Sequence, residues 1–156
     1  MHGLRHAPVV TLALAAGLAL GALGCVQDER IGELELPIAS LCTVPVITGG
    51  STKQIATETD YLPHVVACEH GSATAPATLE AQVVAARTYA YYKVTIEKKS
   101  LTDGQGDQVY SCSGRNLEDL SASQQSRIKA AVSKTKGQIL VHGSTLIAAF
   151  YVAGTK

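Results

Sequence analysis

Apolar residues recur at helical spacing between Pro76 and about Val94, and this segment is the clearest helix that the sequence predicts. The apolar positions of one face are Leu79, Val83, Ala86 and Ala90. The opposite face also consists largely of small or apolar residues. Because a helix that is apolar nearly all round is typical of a buried position, we expect it at the centre of the domain.

Two shorter helices are predicted on either side of this central one. Residues 61–71 carry Pro63 in a first turn and end at Gly71, which are favoured positions for these residue types. Residues 121–136 begin with the pattern Ser121-x-x-Gln124, a capping box, and Gly137 follows their last turn.

Extended segments are short and scattered. Residues 138–142 and 145–152 are typical of a β-hairpin joined by Gly143-Ser144, and short strands are predicted at 44–47 and 94–97. Residues 103–107 form a Gly-rich turn before a short extended piece at 108–110. The mixture predicts an α+β fold, with a central buried helix on a small mixed or antiparallel sheet and a C-terminal β-hairpin.

Composition and charge narrow the possible functions. The 156 residues are 46% hydrophobic, which permits a packed core. Thirteen basic residues balance thirteen acidic ones, so the chain lacks the positive footprint of a nucleic-acid-binding protein. A weakly charged polymer such as a glycan remains compatible with this balance.

The N-terminus has the pattern of an export signal. Arg5 and His6 precede an apolar run at 9–23 that is too short for a comfortable membrane span. The run ends in small residues before Cys25, as in a lipoprotein signal, although Ala22 stands where Leu is preferred. We expect a signal peptide at 1–24 and lipidation of Cys25; the alternative is ordinary cleavage that leaves Cys25 as a plain thiol.

The remaining residues divide into a tether and a domain. Residues 25–60 are polar and then interrupted by Pro and Gly, so we expect a tether and an irregular segment before a domain at 61–156. If Cys25 carries lipid, then Cys42, Cys68 and Cys112 remain. In an oxidising compartment two of these can pair, which leaves one over, and the sequence does not say which.

The run AQVVAARTY at residues 81–89 is very similar to the central helix of the stage II sporulation protein D family. Residues 61–69 resemble the opening of that family's domain, and 108–110 match its Gln-x-Tyr segment. Residues 131–150 resemble its later helix and hairpin. The resemblance extends from residue 61 to about 154.

This resemblance implies a peptidoglycan protein of the cell envelope, on the periplasmic or outer-membrane face. One branch of the family consists of lytic transglycosylases, which leave a 1,6-anhydro end, and the other was named for enhancers of a cell-wall amidase. Glu69 lies at the position of the catalytic acid and base. Arg87, Gln82 and Tyr89 are the corresponding candidates for substrate contacts.

The proposed chemistry needs a single carboxyl group. The leaving glycosidic oxygen must receive a proton at neutral pH, so a carboxylic acid has to donate one. Because a hydroxyl of the sugar itself attacks, no second carboxylate is needed to activate water. Glu69 alone can therefore supply the acid and then the base.

Several positions depart from the family pattern. Glu80 stands where Lys is frequent, and His70 stands where Met is frequent. Gly106 and Asp107 replace the His and Cys that bind zinc in sporulation members, so we expect no metal and no cofactor. The chain ends at Lys156 where the family usually continues, which leads us to expect a truncated gene model or a groove that lacks one wall.

Each candidate also has a structural interpretation. Glu69 could be a solvated carboxylate at a helix end, and Arg87 could form a buried ion pair. Cys68 could act as a nucleophile with a neighbouring His as base, but an inert thiol or a disulfide is the more ordinary role. The remaining His and Cys residues could form a zinc site, but they lack the sequence spacing that characterises such sites. These residues are His64, Cys68, His70, Cys112 and His142.

The sequence thus predicts a lipid-anchored protein that acts on peptidoglycan in the manner of a lytic transglycosylase. The alternatives are a non-catalytic peptidoglycan-binding module that stimulates an amidase, and a degenerate structural envelope lipoprotein. The expected partners are glycan strands and the membrane, which the chain would contact through Cys25. A cell-wall amidase is a further candidate partner, and nucleic acid is not expected.

Overall fold

The computed structural model describes residues 40–71 and 75–150. The predicted signal peptide, the lipidation site at Cys25 and the last residues of the predicted hairpin lie outside these ranges. Among the described residues, none of the helices combines the length and the apolar character needed to cross a bilayer.

The described chain begins with a β-hairpin. Strand β1 (Thr43–Thr48) pairs antiparallel with β2 (Ser51–Ala56) through a two-residue turn at Gly49 and Gly50. Both glycines have positive φ, +57° and +77°, which suits a tight hairpin turn. The short strand predicted at 44–47 is confirmed, but residues 51–56 form its antiparallel partner rather than the irregular chain expected before residue 61.

Three helices follow the pattern expected from the sequence. After a π-helical turn at Thr57–Tyr61, α1 spans Leu62–His70, and α2 spans Pro76–Tyr91. Helix α3 (Ala122–Lys134) starts at the predicted capping box, in which the Ser121 hydroxyl accepts a hydrogen bond from the backbone N–H of Gln124.

The prediction of a strand at 94–97 is wrong. Helix α2 runs directly into a π-helical turn at Tyr92–Ile96, closed by a bond from the N–H of Glu97 to the carbonyl of Tyr92 at 3.2 Å. The Thr95 hydroxyl donates to the Tyr91 carbonyl at 2.6 Å. Continuation of the helix therefore overrides the strand preference of the β-branched residues.

A strand that the sequence did not predict completes the main sheet. Strand β3 (Leu101–Thr102) pairs in parallel with β1, which gives the order β2-β1-β3. The sheet is therefore mixed, one of the two predicted forms. A second hairpin is formed by β4 (Val141–His142) and β5 (Thr145–Leu146), with the expected Gly143-Ser144 turn but shorter strands than predicted.

One hydrophobic core joins these elements and confirms the α+β fold. Strand β1, the three helices and β3 all contribute side chains to it. Helix α2 contacts both α1 and α3, as expected of a central helix. The large apolar side chains with almost no exposure are Tyr61, Leu62, Leu79, Leu101, Ile128, Val44, Val46, Val65, Val66 and Val83.

Candidate functional site

Glu69 lies in the last turn of α1 and lines a surface groove. The side chain is neither fully buried nor fully exposed, and within the described part of the chain it forms no hydrogen bond or ion pair. The groove is formed by the end of α1, the loop before α3 and the start of α3. Its lining residues are Ala67, Cys68, Glu69, Gly71, Arg115, Leu120 and Gln124.

A disulfide lies at the edge of this groove, and its Cys68 is one of the lining residues. Cys68, next to Glu69, is bonded to Cys112, with the two Cα atoms 5.8 Å apart. The bond joins α1 to the loop at 111–116. Cys42 is not a free thiol either, so the unpaired cysteine expected from the sequence is absent from the described cysteines.

The other side of the groove depends on a glycine. The Nε2 of Gln124 donates to the Gly71 carbonyl at 3.1 Å, which ties the start of α3 to the end of α1. A Cβ at Gly71 would lie 2.5 Å from the carbonyl oxygen of Ala67 and 3.0 Å from a methyl group of Leu120. Only glycine allows this close approach, so the groove floor is defined by backbone packing.

Arg87 is a structural residue in this arrangement. Its side chain is completely buried, and its Nε and Nη2 donate to the two carboxylate oxygens of Glu58, each at 2.7 Å. Its Nη1 donates to the carbonyls of Thr135 and Gln138 at 2.8 and 3.2 Å. No part of the guanidinium is exposed, so the geometry agrees with the buried-ion-pair interpretation and offers no surface for the predicted substrate contact.

Gln82 and Tyr89 also lie within the packing of α2. Gln82 is 7% exposed, and its Nε2 has no hydrogen-bond partner among the described residues. Tyr89 is 6% exposed and donates to Asp107 at 2.5 Å. Burial, together with this bond, raises the pKa of Tyr89 to about 12. The structure therefore brings none of the three predicted substrate contacts into the groove that holds Glu69.

A family model described as Stage II sporulation protein (SpoIID) matches residues 50–142, more than half of the chain. The chain belongs to the SpoIID family. No curated protein matches the chain. Membership in this family indicates a role connected with the cell wall.

The Gln-x-Tyr segment of this SpoIID chain braces α1 against α2. The Tyr61 hydroxyl donates to the Gln108 side chain at 2.6 Å, and the Gln108 Nε2 donates to the carbonyl of Ala86 at 3.3 Å. Tyr110 stacks on Tyr61, with ring centroids 5.9 Å apart, and donates to Asp60 at 2.8 Å. These motif residues hold the helix that carries Glu69.

Asp107, which the resemblance aligns with a zinc ligand of the sporulation members, forms an ionic cluster. Its carboxylate receives bonds from the Lys93 ammonium at 2.7 Å, the Tyr89 hydroxyl at 2.5 Å and the Thr102 N–H at 2.7 Å. Burial alone would raise the Asp107 pKa, but these donors outweigh it and lower the pKa. Within residues 40–71 and 75–150, no group of three His, Cys, Asp or Glu side chains is arranged to hold a metal ion.

Two features of the site escaped sequence reasoning. Arg115 and Gln124 line the groove beside Glu69, although neither belongs to a recognisable motif. The position of Arg115 could have been found only from the Cys68–Cys112 pairing, which links its loop to the residue before Glu69. Glu80, where the family often has Lys, pairs with Lys134 of α3 at 2.8 Å and lies outside this groove.

Proposed function

We propose that this protein cleaves peptidoglycan glycan strands as a lytic transglycosylase, with Glu69 as the general acid and then the general base. The observation that carries the proposal is the placement of Glu69. By the resemblance it corresponds to the family's catalytic glutamate; it lines a groove and forms no ion pair with any of the described residues.

The composition of the groove suits this reaction. Hydrolysis of a glycosidic bond by the usual mechanisms requires two carboxyl groups flanking the bond, whereas internal attack by a sugar hydroxyl requires only one. Glu69 is the only carboxylate among the residues that line the described groove. Glu69 would donate its proton to the leaving oxygen, and the resulting carboxylate would accept the proton of the attacking sugar hydroxyl.

In this proposal the disulfide and the buried network hold Glu69 in position. Cys68–Cys112 fixes the end of α1, and the Gln108–Tyr61 bond fixes its start. Arg87 anchors α2 beneath them through Glu58. A rigid scaffold limits the motion of the Glu69 carboxyl group relative to the scissile bond. These structural residues would contribute to the reaction by keeping the acid in position.

Anchoring at the envelope is the second part of the proposal. Lipidation of Cys25 would hold the domain at a membrane surface next to peptidoglycan, on the periplasmic or outer-membrane face. A single chain anchored in this way would reach only the glycan within the length of the tether predicted within residues 25–60.

The second candidate is a non-catalytic module that binds peptidoglycan and stimulates an amidase. It is favoured by Glu80, which stands where the family often carries Lys. The Glu80 carboxylate pairs with Lys134, so it cannot make the contacts that a Lys at this position would make. A degenerate structural lipoprotein would lack both activities.

Product analysis separates these functions. Purified glycan strands are incubated with the protein alone, and their ends are identified by mass spectrometry. New 1,6-anhydro ends support the transglycosylase, and new reducing ends indicate hydrolysis. Strands that bind but remain intact, with faster peptide release when a cell-wall amidase is added, support the stimulating module.

A further inference from the structure

We propose that Arg115 binds a carboxylate of the glycan substrate beside Glu69, and so determines which strands this site accepts. This inference rests on the proposed function of the groove. It adds a specificity residue that neither the central helix motif nor the match to the family identifies.

The first argument is that Arg115 is a free cation at this groove. Its side chain is exposed and lines the groove together with Glu69. Within the described residues its guanidinium forms no ion pair and no hydrogen bond. The other two described arginines are engaged: Arg87 is buried against Glu58, and Arg127 donates to Ser123 at 3.1 Å.

The second argument is that the backbone of Arg115 is held in place. The disulfide at Cys112 ties the loop to α1, and the Cys112 N–H donates to the Asn116 side chain at 2.8 Å. The Arg115 N–H donates back to the Cys112 carbonyl at 3.3 Å. Asn116 also begins the short 3₁₀ helix at Leu117–Asp119 with a capping box. The arginine therefore projects from a loop fixed at both ends.

The third argument concerns charge. Apart from Glu69, Arg115 is the only charged residue among those that line the described groove. A neutral sugar ring gives an unpaired guanidinium no ionic partner, whereas a carboxylate matches its planar fork and receives two parallel hydrogen bonds. Peptidoglycan offers such a group from two sources, the lactyl carboxylate of strands without peptide and the carboxylates of the stem peptide.

The test measures binding without turnover. All proteins carry Glu69→Gln, and Arg115→Gln and Arg115→Lys are added in this background. Lys53→Gln, which removes an exposed charge on the outer strand β2, is the matched control. The probes are peptide-free strands, the same strands with every carboxylate converted to a methylamide, and peptide-bearing strands. Dissociation constants are measured by isothermal calorimetry.

Arg115→Gln should weaken binding of carboxylate-bearing strands about 10- to 100-fold and leave binding of the amidated strands unchanged. Arg115→Lys should fall between these limits, and Lys53→Gln should match the parent. A loss confined to peptide-free strands identifies the lactyl carboxylate, and one confined to peptide-bearing strands identifies the stem peptide.

Equal losses for Arg115→Gln on carboxylate-bearing and amidated strands, or no loss on either peptide-free or peptide-bearing strands, would overturn the inference. The result is independent of catalysis. If the wild type releases no anhydro ends but binding still depends on Arg115, the proposed function fails and this inference stands. If anhydro ends form and Arg115→Gln has no effect, the inference alone fails.

Discussion

Arg87 and Glu58 form a bidentate ion pair, with both contacts at 2.7 Å, that links the central helix to the segment predicted as a tether and irregular chain. The arginine is completely buried, and the glutamate is 25% exposed on its side chain. The arginine of the central motif thus holds both the π-helical turn after the N-terminal hairpin and the end of α3, since its third nitrogen donates to the carbonyls of Thr135 and Gln138.

Arg87→Met should reduce the free energy of unfolding by about 3–5 kcal/mol, because it leaves the Glu58 carboxylate and the carbonyls of Thr135 and Gln138 without their donor. Lys134→Gln, which breaks the exposed pair with Glu80, should cost only about 0–1 kcal/mol. Urea denaturation of both variants measures the difference. Similar small losses for both would contradict a structural role for Arg87 and would return it to the candidates for substrate binding.

The Asp107 cluster should make the free energy of unfolding depend on pH in the acid range. Asp107→Asn should cost on the order of 2 kcal/mol at neutral pH, because three donors lose a charged acceptor. The folded-state pKa of Asp107 lies below its ordinary value of 3.8, so its contribution is present above that value and is lost as pH falls through the depressed pKa.

Denaturation midpoints of wild type and Asp107→Asn should therefore converge as the pH falls below about 4. Glu97→Gln is the control, since Glu97 is the more distant carboxylate on Lys93 at 3.4 Å, and it should change stability less. A difference between wild type and Asp107→Asn that stays constant to pH 2 would show that the ionised carboxylate is not what matters.

Removal of the Cys68–Cys112 bond should destabilise the protein by about 3–4 kcal/mol, because this disulfide closes a loop with a sequence separation of 44. The Cys68→Ser, Cys112→Ser double variant, studied without reductant, tests this value by urea denaturation. Peptide mapping of the wild type should recover the two cysteines in one disulfide-linked fragment. A change below about 1 kcal/mol would mean that the loop at 111–116 is held without the bond.

Cys25 is expected to carry lipid in the mature protein. Fatty-acid labelling and membrane fractionation of wild type and Cys25→Ser should show label and membrane association only in the wild type. Because one sulfur cannot carry both a thioether-linked lipid and a disulfide, recovery of Cys25 in a disulfide would contradict this prediction. Equal labelling of the two proteins would contradict it as well.

The elements that could be predicted from the sequence are those with local signals. Helices α1, α2 and α3 carry their Pro, Gly and capping residues within a few positions of their ends. Strand β3 has only two residues and depends on a parallel partner more than 50 positions away in the chain, so no local pattern indicates it. The prediction of a strand at 94–97 is wrong because the strand preference of the β-branched residues is weaker than the tendency of α2 to continue into the turn at Tyr92–Ile96.

The site divides in the same way. Glu69 could be proposed because a motif surrounds it, and the structure places it at a groove. Arg115 could not be proposed, since its place beside Glu69 results from a disulfide between residues 44 positions apart. Gln82 and Tyr89 belong to the motif helix, and motif membership alone does not distinguish a side chain that packs from one that faces a substrate.

The measurement that tests the central claim most directly is the rate at which Glu69→Gln releases 1,6-anhydro ends from purified glycan strands. The amide keeps the shape and hydrogen bonding of the side chain but cannot donate the proton, so the rate should fall by a factor on the order of hundreds or more while strand binding is unchanged. Glu80→Gln, the same substitution on the neighbouring helix outside the groove, should retain the wild-type rate. Release by Glu69→Gln as fast as by the wild type would contradict the assignment of Glu69 as the acid.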